Sequence, residues 1–257
     1  MSRGAAVAAV LAAVALAGCQ GKTMDSWIKE KMTPTPMATH VARVESTKPD
    51  ERRESLQTVA ANADARSVAS VIKLYCLVVT TDEDPVVRAA AARGLGKMQG
   101  EGIVEALGKA ATRDASPYVR CDAVASLGQV GKPEAVPVLA YVLANDTSED
   151  VRIAAAIALR QFKDKAAVDA LLAALPDANL AISYRAWESL RYMTGQGLPR
   201  QVEPWKEFLA TVDDPFVLYG KPPLMTKGMN QRPQFTKGPA QFIRDLFKKD
   251  PRQAELE

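Results

Sequence analysis

Residues able to do acid–base or nucleophilic chemistry are sparse in this 257-residue chain. Its one histidine, His40, follows Thr33-Pro34-Thr35-Pro36 in a segment with little apolar periodicity that we predict to be a disordered spacer. This placement argues against Ser/His or Cys/His nucleophile pairs and the usual zinc ligand sets. Acidic pairs such as Asp82 and Asp84 precede a predicted helix, where helix capping explains them without a pocket. The glycines from Gly94 to Gly100 miss the dinucleotide-binding spacing by one residue. We therefore expect no enzymatic activity, cofactor, metal site or small-molecule substrate.

The elements that position these residues follow a repeat of 32 residues, in which seven columns keep one phase. A period of this length is typical of supersecondary units that bury their apolar faces only against neighbouring units, in an elongated stack. The columns are Asp82, Asp114 and Asp146; Val87, Val119 and Val151; Arg88, Arg120 and Arg152; Ala91, Ala123 and Ala155; Leu95, Leu127 and Leu159; Val104, Val136 and Val168; Leu107, Leu139 and Leu171.

Each regular unit, at 82–111, 114–143 and 146–175, reads as a helical hairpin. Asp84 and Ser116 are predicted to cap first helices that begin with proline, and glycines separate the first helix from the second. The repeat columns are less regular between residues 49 and 79, and from Asp177 onward they are shifted by one residue. Both departures are expected of terminal caps. The predicted domains are a signal peptide at 1–18, a flexible spacer at 19–48, the helical stack at 49–212 and a flexible basic, Pro-rich tail at 213–257.

The N-terminus has the pattern of an export signal. Arg3 precedes an apolar run from Ala5 to Ala17 that is too short for a stable membrane span. The run ends in Leu16-Ala17-Gly18-Cys19, which resembles the lipobox of bacterial lipoproteins. That resemblance implies cleavage before Cys19, acylation of its thiol and tethering to a membrane; an ordinary cleaved signal with a chance cysteine is the alternative. Gln20 follows the cysteine in place of aspartate; resemblance to the usual sorting pattern of lipoproteins then implies the outer membrane of a two-membrane bacterium, with the protein facing the periplasm.

The other cysteines, Cys76 and Cys121, lie inside apolar helical runs. A disulfide is possible in an oxidising compartment, but the sequence cannot place the two within bonding distance, and free cysteine packs as a small hydrophobic residue. We favour two buried thiols.

Composition gives no argument for nucleic-acid binding. The chain has 33 basic and 30 acidic residues, for a formal charge of +3, and only 6% aromatic residues. Such a nearly balanced charge lacks the basic excess of a polyanion-binding protein.

The repeat unit resembles the HEAT repeat in its short bacterial form, related to phycobilisome-lyase repeats, most clearly at residues 119–131. The resemblance covers about residues 50–210 and implies an all-α fold, a right-handed α-solenoid of helical hairpins whose second helices form a concave surface. It also implies a ladder between units made by each aspartate and the arginine six residues later. The ladder residues are Asp82 and Arg88, Asp114 and Arg120, and Asp146 and Arg152.

Binding is the predicted role of such a stack, and the second helices supply the candidate contacts. Glu105, Lys109, Tyr141 and Asp169 fall on the faces left over from the core columns. Tyr141 is the strongest single candidate, because an exposed aromatic side chain is a common anchor in interfaces. A solvated helix face is the alternative for each of the four.

The tail carries one amphipathic segment, in which Phe242, Ile243, Leu246 and Phe247 share a helical face. With the basic residues Arg244, Lys248 and Lys249, this segment suits a protein partner or an anionic membrane surface. Docking on the protein's own helices and persistent disorder both remain open.

These patterns together predict a non-catalytic protein–protein interaction scaffold of the bacterial cell envelope, anchored to the membrane through lipidated Cys19. An accessory subunit of an envelope enzyme is the alternative. A chromophore lyase, suggested by the repeat family, is disfavoured because an exported protein lies in the wrong compartment for cytoplasmic pigment attachment, and a fold does not transmit activity.

Overall fold

The computed structural model describes residues 37–222, which form α-helices and turns with no β-strand in that range. The helices are α1 (Met37–Arg43), α2 (Pro49–Ala61), α3 (Ala69–Thr81), α4 (Pro85–Leu95), α5 (Ile103–Arg113), α6 (Pro117–Val130), α7 (Val136–Asn145), α8 (Glu149–Leu159), α9 (Lys165–Ala174), α10 (Leu180–Thr194) and α11 (Val202–Thr211). Short 3-10 turns occupy Ala65–Ser67 and Pro133–Ala135.

The helices stack in two layers. The first helices of successive hairpins, α2, α4, α6, α8 and α10, pack side by side, and the second helices α3, α5, α7 and α9 form the other layer. Each second helix packs closely on the first helix of the following unit and only weakly on the first helix of its own unit. The closely packed helical pairs are therefore α3–α4, α5–α6, α7–α8 and α9–α10, so the predicted hairpin boundaries at 82–111, 114–143 and 146–175 are wrong; we keep the terms first and second helix for the order within those predicted units. The predicted all-α solenoid fold is therefore confirmed.

Local sequence fixes where these helices begin and end. The Asp84 carboxylate accepts hydrogen bonds from the amides of Val86 and Val87, with Pro85 at the first helical position. Gly131 ends α6 in the left-handed conformation, at φ +68°, which a residue with a Cβ rarely adopts. The predicted cap at Ser116 is wrong: its hydroxyl makes no capping bond, and its amide instead donates to the Asp114 carboxylate at 2.9 Å.

The repeat columns form the core. The valine and first leucine columns, represented by Val119 and Leu127, are fully buried, and so is the second leucine column, represented by Leu139. Burying one such side chain stabilises the fold by about 1.5–3 kcal/mol. One position differs: Val104 is only half-buried, because the helix turns its neighbour Ile103 into the core instead.

Packed structure extends beyond both ends of the predicted stack. Residues 37–43, expected to belong to the spacer, form α1, which packs on α2, and the following Val44 is 5% exposed. Residues 213–222, expected to belong to the tail, fold back on the last hairpin, where Leu218 lies against Gly195. In both segments apolar side chains pack against an end of the stacked core, and burial of this apolar surface favours a folded segment over a solvated one.

Several predicted features lie outside the described residues. They are the signal peptide, Cys19, most of the spacer, and the tail segment containing Phe242, Ile243, Leu246 and Phe247. Within residues 37–222, no helix combines the length and the apolar character needed to span a membrane.

Candidate functional site

Ion pairs between consecutive units run along the solenoid. Arg88 donates from Nε and Nη2 to the Asp114 carboxylate at 2.7 and 2.9 Å, and Arg120 donates likewise to Asp146 at 2.8 and 2.9 Å. Within its own unit, Arg88 Nη1 donates to the backbone carbonyl of Asp82 at 2.8 Å. Each arginine therefore holds its own turn with one nitrogen and the aspartate of the next unit with two others.

The ladder continues at both ends beyond the predicted residues. Arg52 pairs with Asp82 through two 2.9 Å bonds, and Arg152 pairs with Asp177. The sequence did not indicate Arg52, because it lies 30 residues before its aspartate, whereas the regular pairs are separated by 26. The register of the first unit is thus shifted by four residues, about one helical turn.

The ladder carboxylates are partly removed from water. Burial raises the pKa of Asp114, but the hydrogen bonds from Arg88 and from the Ser116 amide outweigh it and leave the pKa below its usual value. The same balance, with Arg120 and the Ser148 amide as donors, lowers the pKa of Asp146. These groups are satisfied by their neighbours, so the ladder acts as a positioning device and is not itself available to a ligand.

The first helices approach one another very closely. A Cβ added to Gly128 of α6 would lie 3.0 Å from the Cβ and 3.2 Å from the Cα of Ala158 in α8. One added to Gly96, just after α4, would lie 3.0 Å from the Ser126 Cβ in α6. Small residues at these contacts allow the helix backbones to come together.

The second helices are held further apart by larger side chains. At the matching contact, a Cβ on Gly108 of α5 would meet only the methyl groups of Val138 in α7, at 3.5 Å and beyond. A stack with two unequally spaced layers curves toward the more closely spaced one. The packing thus favours the first helices as the concave layer, in contrast to the sequence-based expectation that the second helices form it.

Three depressions follow one another along this first-helix surface. The first, of about 420 Å³, contains Arg93, Asp122 and Gln129; the second, of about 550 Å³, contains Gln129 and Ile157. The third, of about 440 Å³, is lined by Arg160, by residues of α10 and by residues of the folded-back segment at 213–222. Because the first two share Gln129 and the third begins beside the second, we call them together the first-helix groove.

The predicted contact residues on the second helices do not form one cleft. Glu105 and Lys109 pair with each other at 2.7 Å, and Asp169 pairs with Lys165 at 2.8 Å, all at exposed positions. Tyr141 is 58% exposed and lines a shallow depression of about 220 Å³, whereas Asp169 lines a separate one near α11. Tyr141 is therefore accessible, but Glu105, Lys109 and Asp169 do not line the same depression.

The two cysteines in the described region are free, in agreement with the preferred prediction, but each is half-buried and not fully buried. Burial raises the pKa of both thiols, with a smaller contribution from Glu105 at Cys76 and from nearby carboxylates at Cys121. Across residues 37–222, His, Cys, Asp and Glu form no group of three or more that would suit a metal ion.

Comparison with known proteins agrees with this architecture. The chain belongs to the HEAT-repeat family, whose model matches residues 75–160 and 136–219. No curated protein matches the chain.

Solved structures with a similar arrangement share little sequence. An engineered protein has 22% identity over 63% of this chain and 81% of its own, with a TM-score of 0.45. A designed armadillo repeat protein has 18% identity, 69% and 93% coverage and a TM-score of 0.46. The CpcE–CpcF complex of phycocyanin lyase from Nostoc has 16% identity, 68% and 81% coverage and a TM-score of 0.41.

Proposed function

We propose that this HEAT-repeat protein is a non-catalytic scaffold of the bacterial cell envelope, tethered by a lipid on Cys19, that binds a polypeptide partner in its first-helix groove. The observation that carries the proposal is the succession of three depressions along consecutive first helices. An elongated, open channel of this kind suits a segment of protein chain better than a small molecule, which is usually enclosed in a concave pocket.

The lining of the groove supports a binding role. Its middle part combines the half-buried Ile157 and the exposed Ala125 with the amide of Gln129, which offers both hydrogen-bond donors and an acceptor. Apolar contact area beside a few polar groups is the usual make-up of a protein interface.

The charged groups of the groove favour recognition over catalysis. Asp122 is held by Arg93, and Glu188 by Arg185 at 2.8 Å. Burial raises the pKa of Asp122 despite the charge of Arg93 and its hydrogen bond. Both carboxylates are thus engaged by arginines, which remain protonated, and such fixed ion pairs present charge that a partner can recognise.

The envelope location is supported by sequence alone, through the apolar run that ends at Cys19. A lipid at residue 19 would leave the segment up to α1 as a spacer between the membrane and the first hairpin. A single lipid-bearing terminus would then present the groove to partners at the membrane surface.

The proposal is tested with two matched alanine-to-arginine variants. Ala125 lies in the groove on α6, and Ala173 is exposed on α9 in the second layer. After cross-linking in intact cells of the native host, we expect Ala125→Arg to reduce partner recovery at least about tenfold, since a bulky charged side chain in the groove would clash with the bound segment at a cost of more than about 1.4 kcal/mol. Ala173→Arg should leave recovery unchanged.

A further variant tests the second-helix surface. Tyr141→Ala combined with Lys109→Glu removes the exposed ring and reverses a charge on that surface without touching the groove. If this variant loses the partner while Ala125→Arg retains it, the first-helix groove is not the binding surface. If neither variant nor Ala173→Arg changes recovery, the solenoid does not hold the partner at all.

A further inference from the structure

The C-terminal end of the first-helix groove carries a cluster of cations around an aromatic wall. Arg160 at the C-terminal end of α8, Arg191 from α10 and Lys221 from the folded-back segment surround a depression of about 440 Å³. The ring of Tyr192 forms one wall. We call these four residues the terminal basic cluster.

Each of the two arginines lies over an aromatic ring. The guanidinium carbon of Arg160 lies 5.2 Å from the centre of the Tyr192 ring, and that of Arg191 lies 4.4 Å from the centre of the Trp187 ring. Such a cation–π contact does not use the N–H groups on the edge of the guanidinium as hydrogen-bond donors, so it orients the arginine without satisfying those donors.

These cations are not neutralised within the described part of the chain. None of Arg160, Arg191 and Lys221 forms an ion pair among residues 37–222, and the Nε atoms of both arginines are buried without a hydrogen-bond partner there. The one carboxylate in the lining, Glu188, pairs with Arg185. The cluster thus differs from the ladder, where every arginine has its own aspartate.

Long-range contacts fix the position of the cluster. The Tyr219 hydroxyl donates to the backbone carbonyl of Arg160 at 2.8 Å, and its ring meets the Tyr192 ring edge-on at 5.3 Å. The Gly220 amide donates to the Tyr192 carbonyl at 2.9 Å. This bonding preorganises the cluster before a ligand arrives, which reduces the entropic cost of binding.

We propose that the terminal basic cluster binds aspartate or glutamate side chains of an acidic segment in the protein partner; this inference rests on the proposed scaffold function. The edge of a guanidinium matches a carboxylate with two parallel hydrogen bonds, and Lys221 adds a third cation. Tyr192 and Pro222 offer apolar surface beside the charges. A segment lying in the groove would place its acidic residues here and its apolar residues against Ile157.

An acidic peptide fits the cluster better than a phosphate group or an anionic membrane. Glu188 in the lining would repel a compact dianion more strongly than a single carboxylate. The cluster also lies at the end of a groove between helices, whereas a membrane surface needs cations on a protruding face.

The experiment measures peptide binding by the full-length protein, using fluorescence anisotropy. The probes are a labelled peptide alternating Glu and Leu and its counterpart alternating Gln and Leu, with inorganic phosphate and anionic phospholipid vesicles as competitors. We expect the Glu peptide to bind at least about tenfold more tightly than the Gln peptide, as charge-assisted hydrogen bonds would require. Near-equal binding of the two peptides would overturn the inference.

Variants locate the site. The double variant Arg160→Gln with Arg191→Gln should weaken binding of the Glu peptide at least about tenfold. Replacement of the exposed Lys221 alone, in Lys221→Gln, should weaken it severalfold. The matched control, Lys109→Gln with Arg113→Gln on α5, makes the same change in net charge and should alter binding less than about twofold. If the double arginine variant does not fold, Lys221→Gln alone tests whether the peptide binds at the terminal basic cluster.

Three further outcomes contradict the inference. They are equal losses in the control and the arginine variants, displacement of the labelled Glu peptide by phosphate at a lower concentration than by unlabelled Glu peptide, and preferential binding of the protein to vesicles. If partner recovery remains sensitive to Ala125→Arg while the Glu peptide does not bind, the acidic-segment inference fails alone. If partner recovery is insensitive to Ala125→Arg, the groove proposal fails whether or not the peptide binds.

Discussion

Arg120 and Asp146 belong to consecutive repeats, and they face each other in a two-point ion pair with N–O distances of 2.8 and 2.9 Å. Their side chains are only 12% and 7% exposed. Arg120 also donates to the backbone carbonyl of Asp114 at 2.9 Å. The guanidinium therefore connects the turn that begins one hairpin to the turn that begins the next, and it sets how the two units stack.

Breaking this pair should destabilise the solenoid. Arg120→Met leaves the Asp146 carboxylate largely buried without its cation, so we expect the free energy of unfolding to fall by about 3–5 kcal/mol. Lys109→Met, which removes an exposed pair with Glu105, should change it by less than about 1 kcal/mol. Urea denaturation of both variants measures the difference; equal effects would mean that the ladder pair contributes no more than a surface pair.

The ladder also predicts a loss of stability in acid. Asp114 and Asp146 have pKa values lowered in the folded state, so their stabilisation is complete above the unfolded-state pKa of about 4 and disappears as the pH falls through the folded values. Asp122, whose pKa is raised, offsets part of this loss. We expect the free energy of unfolding to decrease from about pH 4 to pH 2.

Asp114→Asn should reduce this dependence on pH, since the variant has no carboxylate at the position to protonate. Asp50→Asn, at an exposed position on α2, is the control and should leave the slope unchanged. Denaturation midpoints measured across the acid range test the assignment. An unaltered slope in Asp114→Asn would show that other groups cause the acid sensitivity.

Two helical glycines should respond to substitution with opposite signs. Gly108→Ala places a methyl group at ordinary contact distance from Val138, so the gain in helix propensity should stabilise the protein by up to about 1 kcal/mol. Gly128→Val forces α6 away from Ala158 and should destabilise it by about 1–3 kcal/mol. Thermal unfolding of the two variants checks this, and a stabilising Gly128→Val would refute the close approach of the first helices.

Lipidation at Cys19 predicts a clear change in partitioning. The wild-type protein expressed in a two-membrane bacterium should enter the detergent phase, and Cys19→Ser should lose its anchor, because serine cannot form the thioether that carries the lipid. Detergent phase separation with mass spectrometry of the N-terminal peptide measures both. An unmodified Cys19, or membrane retention of Cys19→Ser, would contradict the lipoprotein assignment.

The two half-buried thiols should react slowly. Burial raises the pKa of Cys76 and Cys121, which leaves less thiolate at pH 8 than an exposed cysteine has. In Cys19→Ser protein we expect two thiols to react with a disulfide reagent about tenfold more slowly in the native state than in urea. Absence of reactive thiols in urea without reductant would instead indicate a disulfide.

The repeat columns were enough to predict the fold. The columns that include Val119 and Leu127 repeat at a period typical of stacked helical units. Both side chains are fully buried, as such a stack requires. Helix starts such as Asp84-Pro85 could also be predicted, because capping depends on residues a few positions apart. Val104 is the exception, since the choice between it and Ile103 depends on the rotation of α5 against its neighbours.

By itself the sequence determined the repeat, its buried columns and the residue types of the ladder, because these follow from spacing within one unit. Only the tertiary structure decided that Arg88 pairs with Asp114 in the next unit, and that Gly128 meets Ala158. It alone brought Tyr219 to Arg160 across 59 residues, which completes the terminal basic cluster. Such contacts depend on the offset and rotation between packed helices, and these are set by the summed packing of side chains from several units.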